Sequence, residues 1–181
     1  MDAYAVEAKE KMGKCIESYK NSLSTLRTGR ASPAMLNGIE VDYYGSPTPI
    51  NQISSITVPE PRQLLIKPYD RNDVKNIVAA ISASDLGLNP INEGLMVRLI
   101  IPALTEERRK EYAAKVVKMA EEAKIACRNA RRDGNDIVKK DKTIPEDISK
   151  DLVEQIQKAT DEAIKRIDEI TAKKNKEIMT V

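Results

Sequence analysis

The sequence predicts an α+β protein of two domains: an elongated three-helix bundle with a small β/α/β module inserted into it. Apolar residues recur at helical spacing through 2–28, 105–142 and the last 39 positions. Between 31 and 104 the pattern changes to short β-branched runs broken by proline and glycine. Charge divides along the same boundaries: residues 105–142 carry 12 basic and 8 acidic groups, whereas 31–104 carry 5 and 7. The bundle is therefore assigned to 1–30 and 105–181, and the module to 31–104.

The first helix is expected over 2–28. Ala5, Met12, Tyr19 and Leu26 recur every seven residues, with Ala8, Ile16 and Leu23 beside them. Gly29 marks its end, and Ser32 before Pro33 has the form of a fresh N-cap with proline at the first helical position. Strands are expected over 39–44, 53–58, 64–69 and 95–101, with Gly45-Ser46-Pro47-Thr48-Pro49 and Pro59-Glu60-Pro61 as turns or proline-protected edges. A helix between them starts at the N-cap Asp70 and buries Val74, Ile77, Val78 and Ile81. Ser84 to Pro90 turns back into the last strand.

The second long helix opens after Thr105, where Glu106 and Glu107 suit the positive end of the dipole, and running to 142 it spans roughly 57 Å. Thr143-Ile144-Pro145-Glu146 fits a capping box for the third. Its stripe, Ile148, Leu152, Ile156, Ala159, Ala163, Ile167, Ile170, Lys174 and Ile178, steps by 4, 4 and 3. That eleven-residue period allows long packing with little supercoil. The module leaves and re-enters the bundle through two short passages, 28–33 and 102–105, which are expected to form a hinge: Gly29, Arg30, Ala31, Ser32, Pro33, Pro102, Ala103, Leu104 and Thr105.

Composition excludes much chemistry. With no His, no CxxC spacing and no GxxxxGK loop, neither a nucleophile–base pair, a zinc site nor a nucleotide site is expected. The chain reads as a non-enzyme without cofactor or metal. Cys15 and Cys127 read as free buried thiols. No apolar run approaches the roughly 18 residues of a membrane span. Asp2, Glu7, Lys9 and Glu10 argue against a targeting peptide, so a cytoplasmic protein is expected.

The chemistry-bearing stretch is Cys127-Arg128-Asn129-Ala130-Arg131-Arg132. Three of the chain's eleven arginines fall within five positions of it, although lysines number nineteen. At about 100° per residue, Lys124, Arg128, Arg131, Arg132, Asn135, Lys139 and Lys142 share one helix face. That face is expected to be free of acids and opposite a buried line of Tyr112, Val116, Met119, Ala123, Ala126, Ala130, Gly134 and Ile137. Planar guanidinium forks suit phosphate oxygens, which points to nucleic-acid backbone. A merely solvated helix face with pairs such as Arg132–Asp136 accounts for the same pattern equally well. The six tyrosines are scattered, which argues against a base-stacking platform.

Five blocks carry a resemblance that covers essentially the whole chain. They are Thr28-Gly29-Arg30-Ala31-Ser32-Pro33, Tyr43-Tyr44-Gly45-Ser46-Pro47-Thr48-Pro49, Ala83-Ser84-Asp85-Leu86-Gly87-Leu88-Asn89-Pro90, Leu104-Thr105-Glu106-Glu107-Arg108-Arg109-Lys110 and Arg128-Asn129-Ala130-Arg131-Arg132-Asp133. In order and near spacing they resemble the bacterial ribosome recycling factor family; Gly134 departs from it, since many members have Ala there. The resemblance implies an L-shaped monomer that binds the post-termination ribosome. With elongation factor G and GTP, such factors promote splitting into subunits and release of mRNA and tRNA. It also implies that the bundle lies on large-subunit rRNA through Arg128, Arg131 and Arg132, with Arg27 and Arg30 towards the hinge. A helical coiled-coil adaptor and a nonspecific RNA-binding chaperone are the competing classes.

Overall fold

A computed structural model describes residues 3–26 and 28–180. These divide into two compact units: 3–26 with 106–180, and 28–105. Among the described residues no helix is long and apolar enough to cross a membrane.

The first unit is a bundle of three helices, α1 (Ala3–Ser24), α4 (Glu106–Lys140) and α5 (Glu146–Thr180). At 35 residues each, α4 and α5 run about 52 Å. Ala5, Ala8, Met12, Ile16, Tyr19 and Leu23 of α1 meet Val116, Ala120, Ala123, Cys127, Ala130 and Val138 of α4, and both pack on α5. Along α5 the buried positions are Leu152, Ile156, Thr160, Ala163, Ile167 and Ile178, with Thr171 and Lys174 half-buried between them. The 4, 4, 3 rhythm holds, with Thr160 the fully buried residue beside a half-buried Ala159, and Ile170 and Thr171 sharing the next position, both half-buried. Each threonine returns its hydroxyl to the helix, Thr160 to Ile156 O at 2.8 Å and Thr171 to Ile167 O at 2.7 Å, so Thr160 is buried and Thr171 half-buried without an unmet donor. With the Thr171 proton so committed, the Tyr19 hydroxyl donates to Thr171 Oγ1 at 2.6 Å. Ile148, expected inside, is exposed.

Three helix ends differ from expectation. α1 stops at Ser24, four residues early, because Ser24 and Thr25 turn their hydroxyls onto Asn21 O and Ser22 O and the backbone tightens into a final turn. α4 closes at Lys140, leaving Lys142 in the following turn. The expected capping box before α5 is replaced by Asp141. Its Oδ1 accepts from Thr143 N (2.9 Å) and Thr143 Oγ1 (2.5 Å), while its Oδ2 accepts from Tyr4 of α1 (2.6 Å). These bonds, Thr143's side chain foremost and then Tyr4's, hold the Asp141 carboxyl below its ordinary range.

The second unit begins with a 3₁₀ turn, Pro33–Leu36, capped by Ser32, whose Oγ accepts from Ala34 N at 3.3 Å. A hairpin follows, β1 (Glu40–Tyr43) and β2 (Ser46–Pro49), then one helical turn, α2 (Ile50–Ile53). Next come β3 (Ser54–Glu60), β4 (Gln63–Pro68), α3 (Val74–Ala83), β5 (Ile91–Asn92) and β6 (Val97–Ile100). The second sheet is antiparallel throughout in the order β3-β4-β6-β5, with Leu64 opposite Leu99 and Ile66 opposite Val97. One face carries these residues into a core closed by Val74, Ile77 and Ile81 of α3 and by Leu36, Val41 and Ile50. Asp70 caps as expected, accepting from Asn72 N at 2.9 Å, although a 3₁₀ turn, Arg71–Asp73, precedes α3. Proline masked β2, and the β3 register slips between Thr57 and Glu60, around Pro59, where no ladder N–H exists.

Candidate nucleic-acid interface

The buried seam of α4 runs Val116, Ala120, Ala123, Cys127, Ala130, Gly134, Val138. Small residues dominate its middle, which lets three helices approach closely. A Cβ on Gly134 would lie 3.3 Å from Ala8 Cβ and 3.3 Å from Ile156 Cδ1. Cys127 is fully buried, and burial, reinforced by the neighbouring Cys15 thiol, pushes its own thiol up to about 11. Cys15 itself is only half-buried. The seam therefore passes through Cys127 and Val138 rather than Ala126 and Ile137; Ile137 is exposed. This rotates the interior towards the basic row, so the row borders the seam instead of lying opposite it.

The consequence differs residue by residue. Lys124 bonds Asp168 of α5 at 2.6 Å and Glu121 at 3.5 Å, with its side chain only 16% exposed. The Asp168 hydrogen bond holds its ammonium above the ordinary lysine range. The expectation of an acid-free row is thus overturned at this end, because α5 delivers a carboxylate that the α4 sequence does not show. Arg131 is half-buried and donates from Nη1 to Gln157 Oε1 at 3.0 Å; Gln157 in turn donates to Asp161 at 2.9 Å. A neutral amide thus orients this guanidinium without cancelling its charge. Asn135 is half-buried, and its Oδ1 finds no partner among the described residues.

Arg128 and Arg132, one turn apart, are exposed, and among the described residues neither makes an ion pair. Lys139 is also exposed, in the last turn, where the dipole favours a cation. Arg27 lies outside the described residues. Arg30 is exposed and belongs to the second unit. Sequence reasoning missed Gln157 and Asp168, which lie 26 and 44 residues from their partners, and only the docking of α5 brings them into place.

The expected hinge residues are tied into the second unit to different degrees. Ala31 is buried and its N–H donates to Pro61 O at 2.7 Å, while the N–H of Ile101 donates to Arg62 O at 2.8 Å. Ser32 and Pro33 belong to the 3₁₀ turn. Gly29 has φ +77°, and a Cβ there would sit 3.3 Å from Leu104 Cγ and 3.6 Å from Pro102 O. The two passages therefore lie side by side.

The family model described as ribosome recycling factor matches residues 19–179. The chain belongs to the ribosome recycling factor family. A ribosome-recycling factor of Leuconostoc mesenteroides is 54% identical over 174 residues, covering 96% of both chains. One from Lacticaseibacillus casei is 54% identical over 178 residues, covering 97% of this chain and 96% of its own. A solution structure of the ribosome recycling factor superposes with a TM-score of 0.78 at 42% identity, covering 98% of this chain and 96% of that one. A second match has a TM-score of 0.64 at 44% identity, covering 97% and 96%. It is described as models for the T. thermophilus ribosome recycling factor and the E. coli elongation factor G bound to the E. coli post-termination complex.

Proposed function

We propose that this protein binds the post-termination ribosome and, with elongation factor G and GTP, promotes its splitting into subunits with release of mRNA and tRNA. Family membership and the assembly of a relative with elongation factor G on a post-termination complex support this reading. The observation that carries it to particular residues is the pair Arg128 and Arg132, exposed and, among the described residues, without carboxylate partners on a 35-residue helix whose seam is packed against α1 and α5. Guanidinium groups so presented fit the phosphates of large-subunit rRNA. Arg131, oriented by Gln157, adds a third contact; Lys124, Asn135, Lys139, Arg27 and Arg30 complete the proposed set. The protein lends no catalytic step, and nucleotide hydrolysis belongs to elongation factor G. Its place of work is the cytoplasm.

The hinge has a part in the same proposal. With Ala31, Ser32, Pro33 and Ile101 anchored in the second unit, rotation falls to the ends of the two passages that lead into the bundle. A packed helical rod transmits a push with little bending, so displacement of the second unit by the motor drives the rod as a wedge.

Light scattering of post-termination ribosomes with elongation factor G and GTP tests the activity: addition of this protein accelerates the loss of 70S signal, and an unchanged trace removes the function. Charge reversal of Arg128 and Arg132 tests the interface. Each phosphate contact contributes about one unit of salt slope, so the double Arg→Glu variant binds ribosomes with a slope smaller by about two. An unaltered slope shows that these arginines are only solvated.

A further inference from the structure

The β1–β2 hairpin ends in an unusual turn. Tyr43 pairs with Ser46, which leaves Tyr44 and Gly45 as a two-residue loop with φ +50° and +81°. Positive φ at both positions is the type I′ turn, whose first position favours Asn, Asp or Gly. Among the described residues Tyr44 is the only non-glycine with positive φ, and a bulky side chain is disfavoured there. The turn itself is secured otherwise, by Asp42 Oδ1 accepting from Gly45 N at 2.8 Å. The Tyr44 ring does little inside the molecule: it is 82% exposed and meets Tyr43 edge-on, with ring centroids 4.7 Å apart. A strained backbone that presents an uncovered aromatic ring at a hairpin apex is explained by a partner.

We propose that this apex docks on a basic protein surface, with the Tyr44 ring receiving an Arg or Lys side chain. Charge chooses the partner. Residues 31–61 contain Glu40, Asp42 and Glu60 and no Lys or Arg; Asp42 stands at the base of the turn and Glu40 farther down the same strand, both exposed. Such a surface repels phosphate, whereas carboxylates beside an aromatic face attract a cation twice over, by ion pairing and by cation–π contact. Strand addition is disfavoured, because Pro47 and Pro49 leave half of β2 without N–H donors. Recognition therefore runs through side chains. The inference rests on the proposed function only in where the partner is sought, namely on the ribosome with elongation factor G.

A photoreactive benzophenone side chain at position 44 of the full chain, incubated with purified post-termination ribosomes and elongation factor G, tests this. The expected adduct survives ribonuclease, and its partner peptide carries Arg or Lys at the cross-link. In binding assays Tyr44→Asn weakens ribosome affinity about three- to thirty-fold, and Tyr44→Phe stays within about two-fold of the parent. Tyr44→Asn also raises Tm by about 2–4 °C, because Asn accepts the turn geometry. An adduct destroyed by ribonuclease, a partner peptide without basic residues, or unchanged affinity in Tyr44→Asn overturns the proposal. The same reagent at position 132 serves as control: an adduct there with none at 44 refutes the apex alone. A protein that binds ribosomes through neither position overturns the proposed function, and this inference with it.

Discussion

Replacing Gly134 with Ala probes a close approach of the three helices. Glycine inside a helix costs about 0.8–1.0 kcal/mol relative to alanine, so propensity favours the substitution by that amount. Packing opposes it, since the new methyl would stand 3.3 Å from both Ala8 Cβ and Ile156 Cδ1, a few tenths of an ångström inside the preferred carbon–carbon separation of about 3.5–4.0 Å. A cavity of about 10 Å³ beside Gly134, lined by Tyr4, Ala8, Ala130 and Ile137, gives α1 little room to yield. We expect strain of about 0.5–1 kcal/mol, in the lower range for an added core methyl, and a net change within about 0.5 kcal/mol of zero. Ile156→Val removes Cδ1, one of the two obstructions, and by itself costs about 0.5–1.5 kcal/mol. In that background Gly134→Ala recovers the part of its propensity gain that Cδ1 opposed, while Ala8 Cβ still stands 3.3 Å away, giving a favourable coupling of about 0.3–0.5 kcal/mol. Urea unfolding of the four proteins, followed by far-UV circular dichroism, reads the cycle. Equal effects of Gly134→Ala in both backgrounds would show that Ile156 does not limit the site, and the close-approach account of this glycine would be wrong.

Three further outcomes follow from the same geometry. Leu152→Ala, at a fully buried α5 position, destabilises the bundle by about 2–5 kcal/mol in urea titration, and a loss below about 1 kcal/mol contradicts its place in the core. Asp141, whose carboxyl is held low by Thr143 and Tyr4, stabilises the fold above the ordinary carboxylate value of 3.8, and this contribution is lost as pH falls through its depressed folded value; Asp141→Asn flattens that acid limb, and identical acid melts for the two proteins would refute the role. Lys124→Gln weakens ribosome binding less than Arg128→Gln, because Asp168 and Glu121 already occupy the Lys124 ammonium, and the reverse order in a filter-binding assay would return Lys124 to the centre of the interface.

Local signals read well wherever one stretch of chain decides its own conformation. Ser32-Pro33 and Asp70 cap as their residue types predict, and the eleven-residue rhythm of α5 survives into the packed helix. β2 was hidden because Pro47 and Pro49 speak against a strand, yet an edge position paired with β1 tolerates them. Thr160 and Thr171 escape a reading by hydrophobic spacing because hydroxyls count as polar, although a bond to the preceding helical turn makes them acceptable in or beside the core. For the interface, composition and spacing picked out Arg128 and Arg132, which are exposed, but placed Lys124 and Asn135 too far from the seam.

What the sequence by itself determined is the periodicity: which segments are helical, where the module is inserted, and that arginines cluster on one helix. Those follow from hydrophobic spacing and steric preferences, which are local properties of the chain. Which cations of that cluster stay available was decided by tertiary structure alone. The phase at which α4 docks on α1 and α5 fixes which side chains border the seam, and the partners Gln157 and Asp168 come from a helix whose side chains reach α4 only after folding. Rotating a helix about its axis by a fraction of a turn leaves its hydrophobic pattern nearly unchanged and yet alters every charge it presents.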